Sequence, residues 1–558
     1  MRIKKGHRLK LLLVAVALIL GACGGNDGSV GTAGSLMVGG VSGDELAEAQ
    51  VMRRGNGAEP QSLDPHRAEG VPSGNIQRDL FEGLTIEAPN GDVIPGVAES
   101  WRISEDGRIY VFQLRANARW SNGGPVTAHD FVYSFRRSLD PETLSRYTFI
   151  LAPILNAEAV ASGTMPPAEL GVRALDDHRL EITLRSVTPY FLGVLNHSAS
   201  YPVHRGSVEA HGNRWTRPGN LVSNGAYLLV ERFPESHIKI VRNPYYWDND
   251  STVIDEVWYY PTEDSASELR RYRAGELELT STVPSKQIGW AQENLPDQLV
   301  IAPYLGTYYY GINLTKPPFA DNPALRRALT LAIDREIITE EIAGAGQIPA
   351  FGWVPPVINY TGQQMPEAAW TQAEREEEAR RLYLEAGYSD EDPLRLEVLY
   401  NTLEDHRRIA AGIASMWKSI LGVETSLLNQ EWRVFLDTKR KKDEMNVYTE
   451  TEVFRGGWIG DYNDAFTFSE LMHSGSGLND SGYINPDYDL LLELASKEGD
   501  LKKRAEYLQE AEIILLKDLP IIPLYFYVST YMVKPWVKGL TTNIMNHHYS
   551  KNLQILSH

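Results

Sequence analysis

The sequence is poor in cysteine, with Cys23 the only one among 558 residues, so no disulfide can form within the chain. The fold must therefore be held together by packing and hydrogen bonds. Common catalytic motifs are also missing: there is no Gly-x-Ser-x-Gly, no His-Glu-x-x-His, no phosphate-binding loop and no Gly-x-Gly-x-x-Gly after a strand. These absences disfavour an enzyme without excluding one, because catalytic groups are brought together in space.

Metal ligands are equally sparse in the sequence. Without further cysteines, a metal site would need clustered histidines and carboxylates. The one adjacent histidine pair, His547 and His548, has no obvious carboxylate partner nearby in the sequence. We therefore predict no metal ion and no cofactor.

Basic residues are fewer than acidic residues in this chain. The chain has 54 Lys and Arg residues against 73 Asp and Glu residues, which gives a formal charge of −19. Nucleic-acid binding needs a basic stripe, so it is not expected. The length is too great for one compact core, and two or three domains are predicted.

Long apolar runs are missing except near the amino terminus. Residues 11–20 are apolar and follow a basic segment, a run too short to span a bilayer but typical of a signal peptide. The next residues, Leu20-Gly21-Ala22-Cys23, resemble the lipobox of bacterial lipoproteins. We predict a signal peptide over residues 1–22, lipidation of Cys23, and a Gly- and Ser-rich tether over residues 23–45 that holds the protein at a membrane.

Hydrophobic periodicity predicts a mixed α/β protein. Alternating segments predict strands at 108–114, 180–184 and 237–241. Helical spacing predicts helices over 321–344, 371–386 and 501–516. A strand at 394–400, a helix at 404–421 and a strand at 423–428 together indicate a βαβ unit.

Several sequence blocks resemble one family, the extracellular solute-binding proteins of family 5, which are the oligopeptide- and dipeptide-binding proteins of ABC importers. The blocks occur in the family's order and cover nearly all of the chain after the tether. They are residues 61–66, 80–84, 95–101, 118–134, 223–227, 317–319, 332–335 and 533–537. Residues 308–313, 429–438 and 455–462 are most similar to the oligopeptide and murein-peptide binders within that family.

The resemblance implies an α/β, two-lobed periplasmic-binding-protein-like fold of the class II type, with an extra domain and a discontinuous first lobe. It implies a monomer outside the cytoplasm that captures short peptides between its lobes and delivers them to an ABC importer permease, without being an enzyme. The implied domains are domain I from residues 46–81, 206–305 and 526–558, domain II from residues 82–205, and domain III from residues 306–525.

A binder of many peptides must read what all peptides share, namely the backbone, the ammonium and the carboxylate. By resemblance, Asp461 holds the ammonium. The ligand backbone is expected to pair with Glu69-Gly70-Val71 on one side and with Gly457-Trp458-Ile459 on the other. The side chains implied to line the pocket are Tyr147, Trp432, Trp458 and Tyr527.

The residue that meets the ligand carboxylate is left open among Arg455, Lys439 and Arg440. Lys439 stands where the family's close members carry arginine, and the run of residues 439–442 has an alternative interpretation as a solvated loop. Close relatives also have two paired cysteines near the cleft, and the matching positions here are Gly306 and Ile459.

Three other functions stay open. The chain is alternatively a binder of another solute, such as a nickel chelate, haem or a sugar, on the same fold. It is alternatively a periplasmic peptide hydrolase. A structural or signalling lipoprotein is the third alternative, and the peptide, its length and the anchoring membrane are not predicted.

Overall fold

The computed structural model describes residues 45–357 and 359–558. The signal peptide, the lipidation of Cys23 and almost all of the tether lie outside the described residues. Among the helices in the described ranges, none is both long and apolar enough to cross a membrane.

The structure combines strands and helices along the whole described chain, as the periodicity predicts. In chain order, strands β1 to β18 are Val51–Gly55, Thr85–Glu87, Val93–Pro95, Ala98–Ile103, Ile109–Leu114, Val172–Asp176, Arg179–Thr183, Tyr227–Phe233, His237–Arg242, Glu256–Tyr260, Leu299–Ile312, Ile348–Pro349, Arg395–Asn401, Glu424–Gln430, Val453–Ile459, Ile521–Met532, Val537–Lys538 and Gln554–Ile555. Helices α1 to α15 are Val71–Leu80, Ala128–Leu139, Ala157–Ala161, Phe191–Val194, Arg205–His211, Ser265–Arg273, Ile288–Asn294, Pro323–Leu331, Arg335–Ile337, Gln372–Glu385, Glu404–Leu421, Trp432–Arg440, Phe466–Ser469, Pro486–Lys497 and Leu501–Asp518.

The first sheet has the strand order β1-β10-β9-β8 and is built from distant parts of the chain. Strand β1 pairs in parallel with β10, whereas β8, β9 and β10 are antiparallel. Along β9 the alternation buries Ile238 and Ile240 completely, and they pack with Val257 of β10 in one core. The amino-terminal segment is therefore held by a strand about two hundred residues later in the sequence.

The second sheet, β4-β5-β7-β6, is wholly antiparallel. Phe112 and Leu114 of β5 are fully buried against Phe131 and Phe135 of α2. Helix α2 begins at a capping box formed by Thr127 and a first-turn aspartate. This sheet contains two of the three strands predicted in the first half of the chain.

The third sheet has six strands in the order β12-β16-β11-β15-β13-β14. Strands β13 and β14 are parallel neighbours and α11 connects them, which confirms the predicted βαβ unit. Strand β15 pairs with β11 from Ile312↔Val453 to Gly306↔Ile459, but its pairing with β13 covers only Val453 and Phe454. From Arg455 to Ile459, one edge of β15 has no strand partner within the described ranges.

The prediction of one helix over residues 321–344 is wrong. Helix α8 ends at Leu331, and the side chain of Asp334 then caps a new helix by accepting a hydrogen bond from the N–H of Ile337. A π-helical stretch, Ile338–Ala343, follows and ends at Gly344. The break turns Arg335 into the core, where its side chain is fully buried. The helices predicted over 371–386 and 501–516 are confirmed as α10 and α15.

Candidate ligand-binding site

Asp461 lies just beyond the free edge of β15. Its backbone N–H donates a 3.0 Å hydrogen bond to the hydroxyl of Thr467, which fixes the turn. The carboxylate is 10% exposed, and its Oδ1 lies 3.5 Å from Nε2 of His197. Its Oδ2 is buried and accepts no hydrogen bond from the described residues. One oxygen of this buried carboxylate is therefore available to a donor that the described chain does not provide.

The surroundings of Asp461 do not neutralise its charge. Burial raises the pKa of Asp461 well above its ordinary value, although the Arg78 guanidinium opposes the rise. Burial, together with Arg78, lowers the pKa of His197 to about 3, so this imidazole is neutral at physiological pH. Because a buried carboxylate is costly without a cation, an external ammonium would favour the ionised form of Asp461.

Arg78, the cation that opposes the rise in the pKa of Asp461, also takes part in a series of contacts with His547 and Glu87. Its guanidinium contacts Nε2 of His547, and Nδ1 of His547 lies 2.5 Å from a carboxylate oxygen of Glu87. The prediction that the histidine pair has no carboxylate partner is therefore wrong, because Glu87 is 460 residues away in the sequence. His548 hydrogen-bonds the side chain of Asn546. Within residues 45–357 and 359–558, no group of three or more His, Cys, Asp or Glu side chains is placed to hold a metal ion.

Two chain segments offer main-chain groups for pairing. Along Gly457-Trp458-Ile459, alternate N–H and C=O groups point away from β11, as the antiparallel pattern requires, and they reach the free edge. Gly70 has a positive φ of 79° and precedes helix α1. A Cβ there would lie 3.0 Å from the ring of Trp432, so glycine permits this close approach.

Aromatic side chains surround these segments. The ring of Trp432 lies nearly parallel to Phe435 at 5.8 Å, and the ring of Tyr147 lies 4.6 Å from that of His197. The indole N–H groups of Trp432 and Trp458 are buried and donate to no described residue. Buried indole N–H groups ordinarily have a partner, so these two rings offer an apolar face together with a free donor.

Arg455 is a cation without a carboxylate beside it in the part of the chain that the structure describes. Its Nη2 donates a 2.5 Å hydrogen bond to the hydroxyl of Tyr527, and its guanidinium lies 4.8 Å from the centre of the Tyr308 ring. Its Nε is buried and has no hydrogen-bond partner among the described residues. Burial and the charge of Arg455 lower the pKa of His406, whose ring lies against Tyr308. The surroundings of Arg455 therefore favour an anion.

Lys439 and Arg440 form part of a buried ion cluster that consists of Glu69, Arg146, Lys439, Arg440 and Asp480. Arg440 contacts Oε2 of Glu69, and Lys439 Nζ lies 2.6 Å from Oδ2 of Asp480. Arg146 joins the two halves, at 2.9 Å from Asp480 and 3.8 Å from Glu69. Lys439 and Arg440 are 13% and 14% exposed, so the solvated-loop interpretation fails for them.

The structure brings several of the predicted site residues into direct contact with one another, and it adds four residues that the sequence analysis missed. Glu69 meets Arg440, Gly70 meets Trp432, and Arg455 meets Tyr527. The missed residues are His197, Arg78, Arg146 and Asp480. They lie in no recognisable motif, and no local signal in the sequence points to them.

Gly306 and Ile459, the positions that match the paired cysteines of relatives, are direct partners between β11 and β15. A Cβ on Gly306 would lie 2.5 Å from Cδ1 of Ile459, so the isoleucine occupies the space that a second side chain would need.

We expect the double variant Gly306→Cys with Ile459→Cys to form a disulfide on mild oxidation. Paired residues of antiparallel strands have Cα atoms about 4.5–5.5 Å apart, within the range that a disulfide spans. Ile459→Cys removes the crowding Cδ1, whereas the carbonyl oxygen of Trp458 and the ring of Tyr527, each 2.9 Å from a Cβ at position 306, must shift slightly. Peptide mass spectrometry after oxidation measures the cross-link. Ile459→Cys alone is the control and should keep a reactive thiol. Two unlinked thiols in the oxidised double variant would contradict the register.

Comparison with known proteins places this site in context. The model of the bacterial extracellular solute-binding proteins, family 5 Middle, matches residues 92–480. The periplasmic oligopeptide-binding protein OppA of Escherichia coli (strain K12) is 41% identical over 542 residues, covering 95% of this chain and 98% of the relative.

Solved structures agree with the sequence match. The murein tripeptide binding protein MppA of Escherichia coli has a TM-score of 0.89 at 41% identity, covering 92% of this chain and 100% of that one. The OppA of Haemophilus influenzae, in complex with the peptide RPPGFSPFR, has a TM-score of 0.88 at 38% identity with the same coverage. The mixed α/β chain thus has the two-lobed fold of these proteins.

Proposed function

The chain belongs to family 5 of the bacterial extracellular solute-binding proteins, and on this premise we propose that it captures short peptides by their ammonium, backbone and carboxylate. The capture serves an ABC importer, to whose permease the protein delivers the peptide. The family consists of solute-binding proteins, and we extend this to the chain itself as a binder without catalytic activity.

One observation carries the proposal: four buried polar atoms near the free edge of β15 have no hydrogen-bond partner among the described residues. They are the Oδ2 of Asp461, the Nε of Arg455 and the indole N–H groups of Trp432 and Trp458. Leaving such groups unpaired costs about 1–3 kcal/mol each, more for charged groups. A zwitterionic peptide supplies the missing partners, with a donor cation for Asp461 and an acceptor anion for Arg455.

The roles follow from this chemistry. Asp461 binds the α-ammonium, and the free edge at Gly457-Trp458-Ile459 pairs with the ligand backbone as an added strand. Glu69-Gly70-Val71 pairs with the opposite side of the ligand. Arg455, which has no carboxylate partner among the described residues, becomes the preferred candidate for the α-carboxylate, whereas Lys439 and Arg440 are already engaged by Asp480 and Glu69.

The cellular setting is also part of the proposal. We place the protein outside the cytoplasm as a monomer, held at a membrane through lipid on Cys23 and a tether up to residue 45. Support comes from the relatives, which are periplasmic by name, and from the lipobox-like residues 20–23. Domain I from residues 46–81, 206–305 and 526–558, domain II from residues 82–205 and domain III from residues 306–525 remain the proposed division.

Calorimetry with ligand-free protein and unmodified tri- to pentapeptides tests the function. We expect heat of binding with several unrelated sequences, because the shared groups carry recognition. The matched control is the same peptide with an acetylated amino terminus, which removes the ammonium and should bind far more weakly. If no free peptide gives heat, the peptide-capture function is wrong. Mass spectrometry of the recovered peptides checks the non-enzymatic part, since cleavage would indicate a hydrolase.

We expect peptide affinity to fall as the pH is lowered from about 6.5 to about 4.5, a range below the α-ammonium pKa of about 7.7–8.0 in which the ligand ammonium stays charged. Burial raises the pKa of Asp461, so protons compete with the ligand ammonium for this carboxylate. His197, with a pKa of about 3, stays neutral throughout and does not mask the effect. Dissociation constants in a series of buffers measure the trend. A constant affinity would contradict the role of Asp461.

A further inference from the structure

The five-residue ion cluster has unequal numbers of charges. Arg146, Lys439 and Arg440 supply three cations, whereas Glu69 and Asp480 supply two carboxylates. All five side chains are mostly shielded from water, with Arg146 the most exposed at 26% and Asp480 the least at 5%. One net positive charge therefore lies in a largely desolvated position, which is costly unless an anion joins it.

Each carboxylate of the cluster already contacts two of the three cations, so neither is left to balance the extra positive charge. Each oxygen of Glu69 faces one arginine, and each oxygen of Asp480 faces either Arg146 or Lys439. The donors, by contrast, are in excess. The Nε of Arg440 is buried and has no hydrogen-bond partner among the described residues, whereas the Nε of Arg146 lies 3.8 Å from Oε1 of Glu69.

The pKa shifts of Lys439 and Asp480 agree with this excess of cations over carboxylates. Burial lowers the pKa of Lys439, and the charges of Arg440 and Arg146 add to the effect against the attraction of Asp480. For Asp480, burial is outweighed by its three cationic neighbours, and its pKa is lowered. The cluster thus holds its own carboxylates ionised and has positive potential left for another anion.

The cluster lies beside the proposed path of the ligand backbone and not at its amino end. Glu69 starts one of the two segments proposed to pair with the peptide, and Arg146 is followed directly by Tyr147. The ring of Tyr147 lies against His197, which in turn faces Asp461. Burial, together with the charges of Asp461 and Glu69, raises the pKa of Tyr147, so this side chain lies within electrostatic range of both the ammonium site and the cluster.

We infer that the ion cluster is a side-chain subsite that selects peptides with a carboxylate-bearing residue, glutamate or aspartate, at an internal position. This inference rests on the proposed function and names the ligand class that the site prefers. The side-chain carboxylate accepts from the free Nε–H group of Arg440 and balances the third cation. A lysine at the same ligand position is repelled by the excess positive charge.

Calorimetry with peptides of one fixed length tests the inference. Tetrapeptides of alanine that carry glutamate, glutamine or lysine at the second or the third position share identical termini and differ only in the internal side chain. At one of the two positions we expect the glutamate peptide to bind about tenfold or more tightly than the glutamine peptide, because its carboxylate forms charge-assisted hydrogen bonds with buried donors. The lysine peptide should bind more weakly than the glutamine peptide. Glutamate and glutamine peptides that bind within about twofold of each other at both positions would overturn the inference.

Variants separate the cluster from other sources of the preference. Arg440→Gln leaves two cations and two carboxylates, and the glutamate-to-glutamine affinity ratio should fall towards one. Arg440→Lys keeps the charge and should retain part of the glutamate-to-glutamine affinity ratio. This variant also tests the inference if Arg440→Gln does not fold. Lys441→Gln is the matched control, because Lys441 is 64% exposed and pairs with Glu450 at the surface, and its ratio should not change.

The outcomes distinguish this inference from the proposed function. If all the peptides bind but Arg440→Gln keeps the full ratio, the cluster is not the selecting element and the inference is wrong while peptide capture stands. If none of the tetrapeptides binds the unaltered protein but tripeptides or pentapeptides do, the inference is wrong and peptide capture stands; if no free peptide of three to five residues binds, both are wrong.

Discussion

Replacement of Asp461 by asparagine is expected to weaken tripeptide binding by about 100-fold or more, equivalent to about 3 kcal/mol. Asparagine keeps the size of the side chain but removes the charge that would hold the ligand ammonium. The remaining neighbour, His197, is neutral and cannot replace it. Calorimetry or a fluorescence titration gives the dissociation constants.

The same variant should be at least as stable as the unaltered protein in the absence of peptide. The carboxylate of Asp461 is buried beside the neutral His197, and burial raises its pKa well above the ordinary value, so its replacement by an amide relieves a desolvation cost. Loss of binding together with an unchanged or raised melting temperature would identify a residue kept for function. A large fall in the melting temperature would instead indicate a structural role.

The control is Asp437→Asn, which changes an exposed aspartate on helix α12 near the same site and should leave affinity unchanged. If Asp461→Asn protein bound its ligand normally, the ammonium assignment would be wrong. The alternative functions, with a nickel chelate, haem or a sugar as the solute, would then be favoured on the same fold.

The second large effect is expected from Arg335→Met, which should lower the free energy of unfolding by about 4 kcal/mol. The fully buried side chain donates from Nε to the carbonyls of Ala350 and Pro523, at 2.8 and 2.9 Å. Its Nη1 donates to two further carbonyls, those of Thr330 and Ile333. Methionine fills similar space without donors, so four buried carbonyls lose a partner.

Arg335 therefore connects the end of helix α8, the loop before Phe351 and strand β16. Burial, with the neighbouring charge of Arg375, lowers the pKa of Arg335 to about 9, so the side chain remains a cation at neutral pH. Urea unfolding followed by tryptophan fluorescence measures the shift of the midpoint. Arg407→Met is the control, since Arg407 is 60% exposed, pairs only with Glu404 on the surface of α11, and should change the midpoint little. Equal shifts in the two variants would contradict the argument.

Much of the fold was predictable from neighbouring residues. The alternation in β9 places Ile238 and Ile240 on one buried face, and the helical spacing around Leu382 and Tyr383 predicts α10. The βαβ unit follows from two apolar runs on either side of a helical pattern. These features depend on backbone periodicity, which residues close in sequence specify.

The site was only partly predictable, because its electrostatics depend on distant residues. The block around Asp461 identifies the residue, but its free Oδ2 and the neutrality of His197 depend on burial. The contact of His547 with Glu87 was missed for the same reason.

By itself the sequence determined several of the strands and helices, the family to which the chain belongs, and the chemical types available at the site, because each depends on local pattern or on blocks of adjacent residues. Only the tertiary structure decided that Arg335 interrupts a predicted helix, that Gly306 faces Ile459, and that three cations share two carboxylates in one buried cluster. Desolvation and charge pairing act through space, so their balance is set by which side chains the fold buries together.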